Sequence, residues 1–506
     1  MTLNTTIPTI SKTLDDNVNY LNELLGVGQG PGHSWDIMAK PFAYGDFRMM
    51  SYVLNGYFLT MNMVLILQEL EKHTLMFRAQ HDQDPYTMND LVDYLNKHLG
   101  FVQVQTIPKM QDAIRFILSG PLITFIEGFE YAFMIDTRIY PMRSIAPTEV
   151  EKVIRGPRDG FVETMLMNTA LIRRRLRDPA LRAELFQVGT RSKTDVTLMY
   201  LLDVTNPQLV TRVRKALTSI TSDIVAMGEQ AVTELIGRVG WNPYPIVRYT
   251  ERPDVAATAL VDGHVVIVVD TSPEVIIAPI SLFQLLQHPE EYHSYPLLGT
   301  YWRWLSLGAN LLTVILPGIL LLVNDFPAAT PHFLSFFKIT QKPPMPLWLE
   351  LLLAEFSLDM LRNAVLNTPT NIAAMVSIIA AFAFTENSPD VNFMPPVVLL
   401  YMAFVLIAQL SIASFEVATA NQLSRFWVIA ATQIAYASGL QFWGFVIAIV
   451  GWLVFLATRK SFGVPYLWPL IPFKWNQGLL EILTRRPIHH QKGRPSMLHP
   501  KMQNRS

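Results

Sequence analysis

The 506-residue chain contains no cysteine. That excludes disulfides, thiolate nucleophiles and cysteine-bound zinc or iron–sulfur centres in one step. It also lacks a charge excess, with 40 Lys and Arg against 41 Asp and Glu, so it offers no bulk attraction to nucleic acid. Neither a G-x-x-x-x-G-K-S/T phosphate loop nor a G-x-S-x-G nucleophile elbow occurs. The glycines Gly26, Gly28, Gly30 and Gly32 have no strand before them and no helix start after them, and read as a flexible linker. In the run HPEEYH, His288, Glu290, Glu291 and His293 lie close together, but His-x4-His is not a zinc-protease spacing. A proline-bounded surface loop is expected there. The chain is read as not an enzyme, with no cofactor and no resident metal.

Charge is scarce in the back of the chain. Between Trp304 and Thr458 only eleven charged side chains occur: Asp325, Lys338, Lys342, Glu350, Glu355, Asp359, Arg362, Glu386, Asp390, Glu416 and Arg425. That is roughly a third of the ordinary density of about 25%. Trp304–Asn324 is an uncharged run that reaches about 31 Å as a helix, the thickness of a hydrocarbon core. Phe393–Phe415 gives another such run, and Asn371–Thr385, extended by Leu366–Thr370, a third. Phe426–Thr458 is too long for one crossing and reads as a hairpin broken near Ser438-Gly439, its first arm starting around Ala418.

Pro346–Leu366 is apolar yet carries Glu355, Asp359 and Arg362, spaced i, i+4, i+7 on one helical face. Ionised groups at membrane depth cost about 2.5–3.5 kcal/mol on insertion scales unless hydrated or paired. The segment therefore either crosses, with this trio lining a water path, or lies in the interface with the trio as an internal cluster. Gln409 and Gln433, with Asn310 and Gln441, are weaker pore candidates. After Thr458 the tail holds nine Lys and Arg and one acid, Glu481, which places it in the cytoplasm by the positive-inside rule. The N-terminal MTLNTTIPTISKTLDD lacks an apolar signal core. Both ends are thus expected in the cytoplasm, with four to six crossings between them.

In the front half, Phe125–Arg138 and Leu260–Ser272 resemble each other. Each reads as strand, acid-Gly turn (Glu127-Gly128, Asp262-Gly263), strand, then Asp-Thr. Upstream of each lies a strand-like run leading to a helical one: Phe47–Leu59 then Met61–Lys72, and Asp195–Val204 then Pro207–Leu217. A duplicated α/β unit over about 40–150 and 190–280 is expected. Between the copies a helix runs from about Phe161 to Asp178-Pro179, with Arg173, Arg174, Arg175 and Arg177 at its C-terminal end, where they complement the helix dipole. Four guanidiniums so close also suit a neighbouring subunit's carboxylates or lipid phosphates.

Four blocks carry a family resemblance. GPRDGFVE with NTALIRRRLRDP (Gly156–Glu163, Asn168–Pro179), TERPDVAA (Thr250–Ala257) and SFGVPYLWPLIPF (Ser461–Phe473) resemble the signatures of GerA-type spore germination receptor A subunits. PYLWPLIPF followed by RPSMLHP (Arg494–Pro500), with SFEVATANQLSR (Ser414–Arg425), is most similar to one sporulation-protein subgroup of that family. The resemblance implies a multi-pass protein of the endospore inner membrane acting in germinant-triggered ion release. It also implies a homo-oligomer working with another membrane subunit and the lipid bilayer, and no nucleic acid.

An oligomeric ion channel is the leading expectation. The alternatives are a non-conducting accessory or scaffold subunit, or a component of dipicolinate transport. Arg158, Glu163, Asn168 and the four arginines fall in the signature blocks as candidate inter-subunit residues. Glu251, Arg252 and Asp254 do too, although a structural ion pair and a turn at Pro253 account for them as well. The expected fold is an α+β cytoplasmic domain of two similar α/β subdomains, followed by an all-α polytopic transmembrane domain. Its parts are an N-terminal helix and linker (1–39), subdomains over 40–150 and 151–300, a transmembrane helical domain (301–460) and a basic tail (461–506).

Overall fold

The computed structural model describes residues 7–81, 85–100, 103–140, 151–325, 332–339, 345–366, 395–440, 442–491 and 493–504. The chain forms two compact units. One comprises Met1–Gly240, Val247–Pro279 and Ile488–Ser506; the other comprises Trp241–Ile246 and Ile280–Pro487.

The first unit begins with α1 (Leu14–Leu25) and then repeats one sequence of elements twice. The first copy is β1 (Ile37–Tyr44), β2 (Phe47–Leu54), α2 (Thr60–Gln80), α3 (Met88–His98), β3 (Val104–Ile107), α4 (Met110–Ile117), β4 (Leu122–Ile126) and β5 (Ala132–Ile135). After α5 (Met165–Arg175) comes the second copy: β6 (Leu181–Val188), β7 (Thr194–Leu201), α6 (Pro207–Thr218), α7 (Glu229–Gly237), β8 (Arg248–Thr250), α8 (Pro253–Asp262), β9 (Val265–Val269) and β10 (Val275–Ala278). Both sheets are five-stranded and antiparallel, with orders β1-β2-β4-β5-β3 and β6-β7-β9-β10-β8. These are one topology used twice.

Period-two alternation explains why helices cover both faces of the first sheet. Ile123, Phe125 and Met134 pack with Leu21 and Leu25 of α1 and Ile114 and Ile117 of α4. Leu122, Ile126, Phe133 and Ile135 pack with Ile66, Leu70 and Phe77 of α2 and Leu91 and Leu95 of α3. Local signals set the helix ends. Thr87 and Asp90 form a capping box at α3, and Asn206 caps α6 with Pro207 in its first turn.

Three sequence readings change here. Glu127-Gly128 does turn β4 into β5, but Asp262-Gly263 ends α8, with Gly263 at φ +103° as its C-cap. The hairpin matching β4–β5 is β9–β10, so the repeat lies in the topology rather than in the residues that suggested it. Acid-Gly serves both structures because each needs a left-handed residue. The arginine-rich helix is also shorter than expected, Met165–Arg175.

Finally, the glycine run is a built turn. Gly26 (φ +64°) caps α1, Ser34 N donates to Gly26 O at 2.5 Å, and Gly32 N donates to Glu184 Oε1 at 2.7 Å. A Cβ on Gly26 would lie 2.6 Å from Arg182 Nε. Glu184 also accepts from Tyr200 OH (2.6 Å) and from Arg214 Nε and Nη2 (2.9 and 2.6 Å). Burial pushes this carboxyl up, but the hydrogen bonds from Arg214, Tyr200 and Gly32 outweigh it and hold its pKa below the ordinary value. A depressed folded pKa gives stability that is present above the unfolded value of about 4.3 and is lost as pH falls through the folded value. Glu184→Gln should therefore flatten the acid limb of an unfolding curve followed by near-UV circular dichroism from about pH 5 downward.

The second unit is helical: α9 (Leu282–Leu285), α10 (Glu290–His293), α11 (Pro296–Asp325), α12 (Leu347–Leu366), α13 (Pro396–Leu410), α14 (Phe415–Ala437) and α15 (Phe442–Thr458). Helix α11 is long and apolar enough to cross a bilayer by length and composition, while α13 and α15 are apolar but shorter. The break expected at Ser438-Gly439 separates α14 from α15, with Gly439 at φ +81°. The two helices approach closely at Gly444, where a Cβ would come within 2.6 Å of Ala435 Cβ. The run Asn371–Thr385, the acids Glu386 and Asp390, and Gln441 lie outside the described residues.

HPEEYH is not a surface loop. Residues 290–293 form α10, and fully buried Glu291 pairs with Arg303 Nε at 2.8 Å. Among the described residues no group of three metal-ligating side chains comes together. The tail divides at 487/488, and its second part joins the first unit. There Lys501 N donates to Val204 O (2.9 Å) and Arg494 Nε to Val261 O (2.8 Å).

Candidate functional site

In the helical unit the apolar helices turn their polar side chains inward. Glu355 of α12 and Arg425 of α14 are both fully buried and face each other in parallel, Nε to Oε1 and Nη2 to Oε2, each at 2.8 Å. Tyr401 of α13 donates its hydroxyl to the same Glu355 Oε1. With its amide oriented by this network, Gln409 accepts from Arg425 Nη2 (2.6 Å) and Nη1 (3.1 Å). Three helices are thus tied through one ion pair, each partner gaining further hydrogen bonds, as a buried pair requires.

The expected trio separates. Glu355 is enclosed, and Asp359 is half-buried with no ion pair among the described residues. Arg362 stacks on Phe415 (4.0 Å to the ring centre) and donates to Thr419 Oγ1 at 3.0 Å. Gln433 is half-buried, and its Oε1 has no hydrogen-bond partner among the described residues.

A second buried network lies along α11, α14 and α15. The Tyr244 hydroxyl meets Asn421 Oδ1 (2.9 Å) and Ser424 Oγ (2.8 Å) and accepts from Trp452 Nε1 (2.9 Å). Asn421 Nδ2 in turn donates to Asn310 Oδ1 at 2.8 Å. Sequence reasoning named Asn310 but missed Tyr244, Tyr401 and Arg425. For Arg425 a signal existed, since it is one of few bases among apolar residues facing an isolated acid.

In the first unit the signature residues mostly find partners within the chain. Arg173, 1% exposed, holds Asp36 through Nε (2.9 Å) and Nη2 (3.0 Å) and donates to Leu181 O at 3.2 Å. Arg175 Nη2 meets both oxygens of Asp159 (2.6 and 2.7 Å), and Arg177 Nη1 donates to Ser119 Oγ at 3.3 Å. Arg174 is exposed and lies over the Tyr140 ring at 4.4 Å; Arg158 and Glu163 are also exposed.

Arg252 is buried against Asp254 (Nε–Oδ1 3.1 Å, Nη2–Oδ2 2.8 Å) and donates to Pro157 O, with Pro253 opening α8. Glu251 accepts Phe161 N through its backbone oxygen at 2.8 Å. Arg173, Arg175 and Arg252 are therefore not available to a neighbouring subunit. Each guanidinium is anchored to a carboxylate that the turns of the same unit bring to it.

Asn168 closes a small ring with the turn before α5. It accepts Val162 N (2.8 Å) and donates to Val162 O (2.5 Å) and Ser272 O (3.3 Å). Asn168→Ala leaves those buried and half-buried backbone groups without this partner and should lower the stability of the first unit by about 1–3 kcal/mol in urea titration.

Comparison with known proteins agrees with the signature blocks. One relative, "Stage V sporulation protein AF" of Bacillus subtilis (strain 168), is 37% identical over 96% of this chain and 95% of its own length. "Spore germination protein GerLA" of Bacillus cereus is 29% identical over 80% of this chain and 82% of its own. "Uncharacterized membrane protein YfkQ" of Bacillus subtilis (strain 168) is 27% identical over 96% and 91%. The crystal structure of the N-terminal domain of the A subunit of the Bacillus megaterium spore germinant receptor GerK3 is 25% identical. That match covers 54% of this chain and 98% of that one, with a TM-score of 0.41. The family model described as Bacillus/Clostridium GerA spore germination protein matches residues 26–497, and the chain belongs to that GerA family.

Proposed function

We propose that this chain is a multi-pass membrane subunit of a spore germination complex, set in the endospore inner membrane with both termini on the core side. In this reading it assembles with copies of itself and with another membrane subunit, and its helical unit contributes to an ion path. The observation that carries the membrane part is an inverted distribution of side chains. On α13, Phe404, Ile407 and Leu410 are exposed, as are Trp443, Ile447 and Val454 on α15, while Glu355, Arg425, Asn310 and Asn421 are buried. Water would penalise that outer surface, whereas lipid accepts it.

Conduction is tested by ion flux from liposomes holding the full-length protein. Asp359 is the group to change, because Glu355 has a structural partner. Selective flux altered by Asp359→Asn supports the channel; no flux with or without the partner subunit supports a non-conducting accessory. One observation favours that second reading: the acid expected to line the path is enclosed by Arg425 and Tyr401. For self-assembly, Arg174 is an exposed member of the arginine cluster with no ion pair among the described residues. Arg174→Glu should reduce oligomer size in size-exclusion chromatography with light scattering, and an unchanged size would remove this arginine from the interface.

A further inference from the structure

The loop after α15 turns its apolar side chains outward. Beyond that helix the chain makes a short pair of strands, β11 (Lys460–Ser461) with β12 (Val464–Pro465), and buries Tyr466, Leu467 and Trp468. After Pro469, which is buried too, the six residues Leu470, Ile471, Pro472, Phe473, Lys474 and Trp475 are all exposed, Phe473 by 65% and Trp475 by 56%.

The loop is closed on itself. Lys474 N donates to Pro469 O (3.0 Å) and Leu479 N to Lys474 O (3.1 Å). Gly478 sits where a Cβ would come within 2.5 Å of Pro469. The Phe473 and Trp475 rings lie 6.3 Å apart, and Lys474 separates the two residues in the chain.

Two features say what covers this surface. The first is charge: residues 459–487 hold Arg459, Lys460, Lys474, Arg485 and Arg486 against Glu481 alone. Arg485 is buried against the carbonyls of Tyr292 and Ser294, but Lys460 and Lys474 are exposed and suit an anionic leaflet. The second is continuity with the apolar exterior of the same unit. The segment after the loop is bonded to α11, where Trp304 Nε1 donates to Leu483 O (2.6 Å) and Arg303 Nη1 to Glu481 O (2.5 Å). The adjoining first turns of α11 expose Leu297, Tyr301 and Trp304. Aromatic rings beside a lysine match the headgroup level of a bilayer, where ring bodies sit among acyl chain ends and the ammonium meets phosphate.

We propose that residues 470–475 are an interfacial anchor. Phe473 and Trp475 insert into an anionic phospholipid leaflet, and Lys474 engages the headgroup phosphates. This rests on the membrane reading given above.

The absence of cysteine makes the test direct. Single cysteines replace Phe473, Val450 on the outer face of α15, and Lys215 on exposed α6 in the full-length protein, and each carries a polarity-sensitive fluorophore. The proteins are reconstituted into phosphatidylcholine vesicles with and without phosphatidylglycerol. Quenching is measured with aqueous iodide and with a nitroxide lipid. The label at 473 should behave like that at 450: blue-shifted, protected from iodide and quenched by nitroxide. Nitroxide quenching should increase with phosphatidylglycerol, and Lys474→Glu should abolish that increase.

A label at 473 that follows 215 overturns the anchor. Protection from both quenchers also overturns it, because a protein surface then covers the loop. Equal quenching in the two vesicle types overturns the anionic-lipid part. Loss of nitroxide quenching at 450 as well identifies the failure as that of the membrane reading itself, and the anchor falls with it.

Discussion

Replacing Arg425 with alanine is expected to destabilise the helical unit by about 3–5 kcal/mol, because Glu355 is then left buried without a counter-charge. The Tyr401 hydroxyl would face a carboxylate with no other compensation, and Gln409 would lose its guanidinium. The measurement is the thermal midpoint of the detergent-solubilised protein by fluorescence-detected size exclusion. A second variant separates the charge from the packing. Changing Glu355 and Arg425 together to methionine removes both ions and keeps volume, and it should recover most of the loss. If the double variant is as unstable as the single one, the ion pair is not the origin of the effect.

The first unit should respond nearly as strongly to Asp36→Ala. This carboxylate, immediately before β1, is gripped by Arg173 from α5 through two parallel hydrogen bonds, both side chains being almost fully buried. Removing it leaves a guanidinium enclosed with only the carbonyl of Leu181 and a long contact to Asp178 O. The expected cost is again about 3–5 kcal/mol, read as a lower urea midpoint of the near-UV signal. Because Asp36 lies outside the helical unit, the thermal behaviour of that unit provides the internal control. Arg174→Ala, one residue along on the exposed side, should change the same midpoint by less than about 0.5 kcal/mol.

Local chemistry was readable from the chain where it acts over a few residues. Pro207 marks a helix start, Ser438-Gly439 marks a helix break, and the Arg252–Asp254 pair spans two positions, whereas Pro253, read as a turn, opens α8. What sequence hides is which distant groups meet. Glu355 and Arg425 lie 70 positions apart, and Asp36 and Arg173 lie 137 apart. Arg173 looks like an interface group, and Arg425 like an isolated charge in an apolar run, until the fold supplies their acids.

A second kind of loss comes from degenerate signals. Gly128 and Gly263 follow acids in similar strings, yet one closes a hairpin and the other a helix, since both demand positive φ. Glu291 was hidden differently. Its partner Arg303 sits at the edge of the apolar run that defines α11, so neither side of that boundary advertised a buried pair.

The covalent path has its own consequence. Because the polypeptide leaves the first unit at residue 240, returns at 247, leaves again at 279 and comes back at 488, no single cut separates the two units completely: one after Pro279 keeps both sheets but carries Trp241–Ile246 with them and leaves Ile488–Ser506 behind. A fragment ending at Gly240 would lack β8, α8, β9 and β10 and would keep β7 with an unzipped border. Such a border invites cross-chain pairing and precipitation. During synthesis, too, the second sheet cannot close until Ala278 has emerged from the ribosome, and its C-terminal fastening at Arg494 and Lys501 arrives only after every apolar helix has been made.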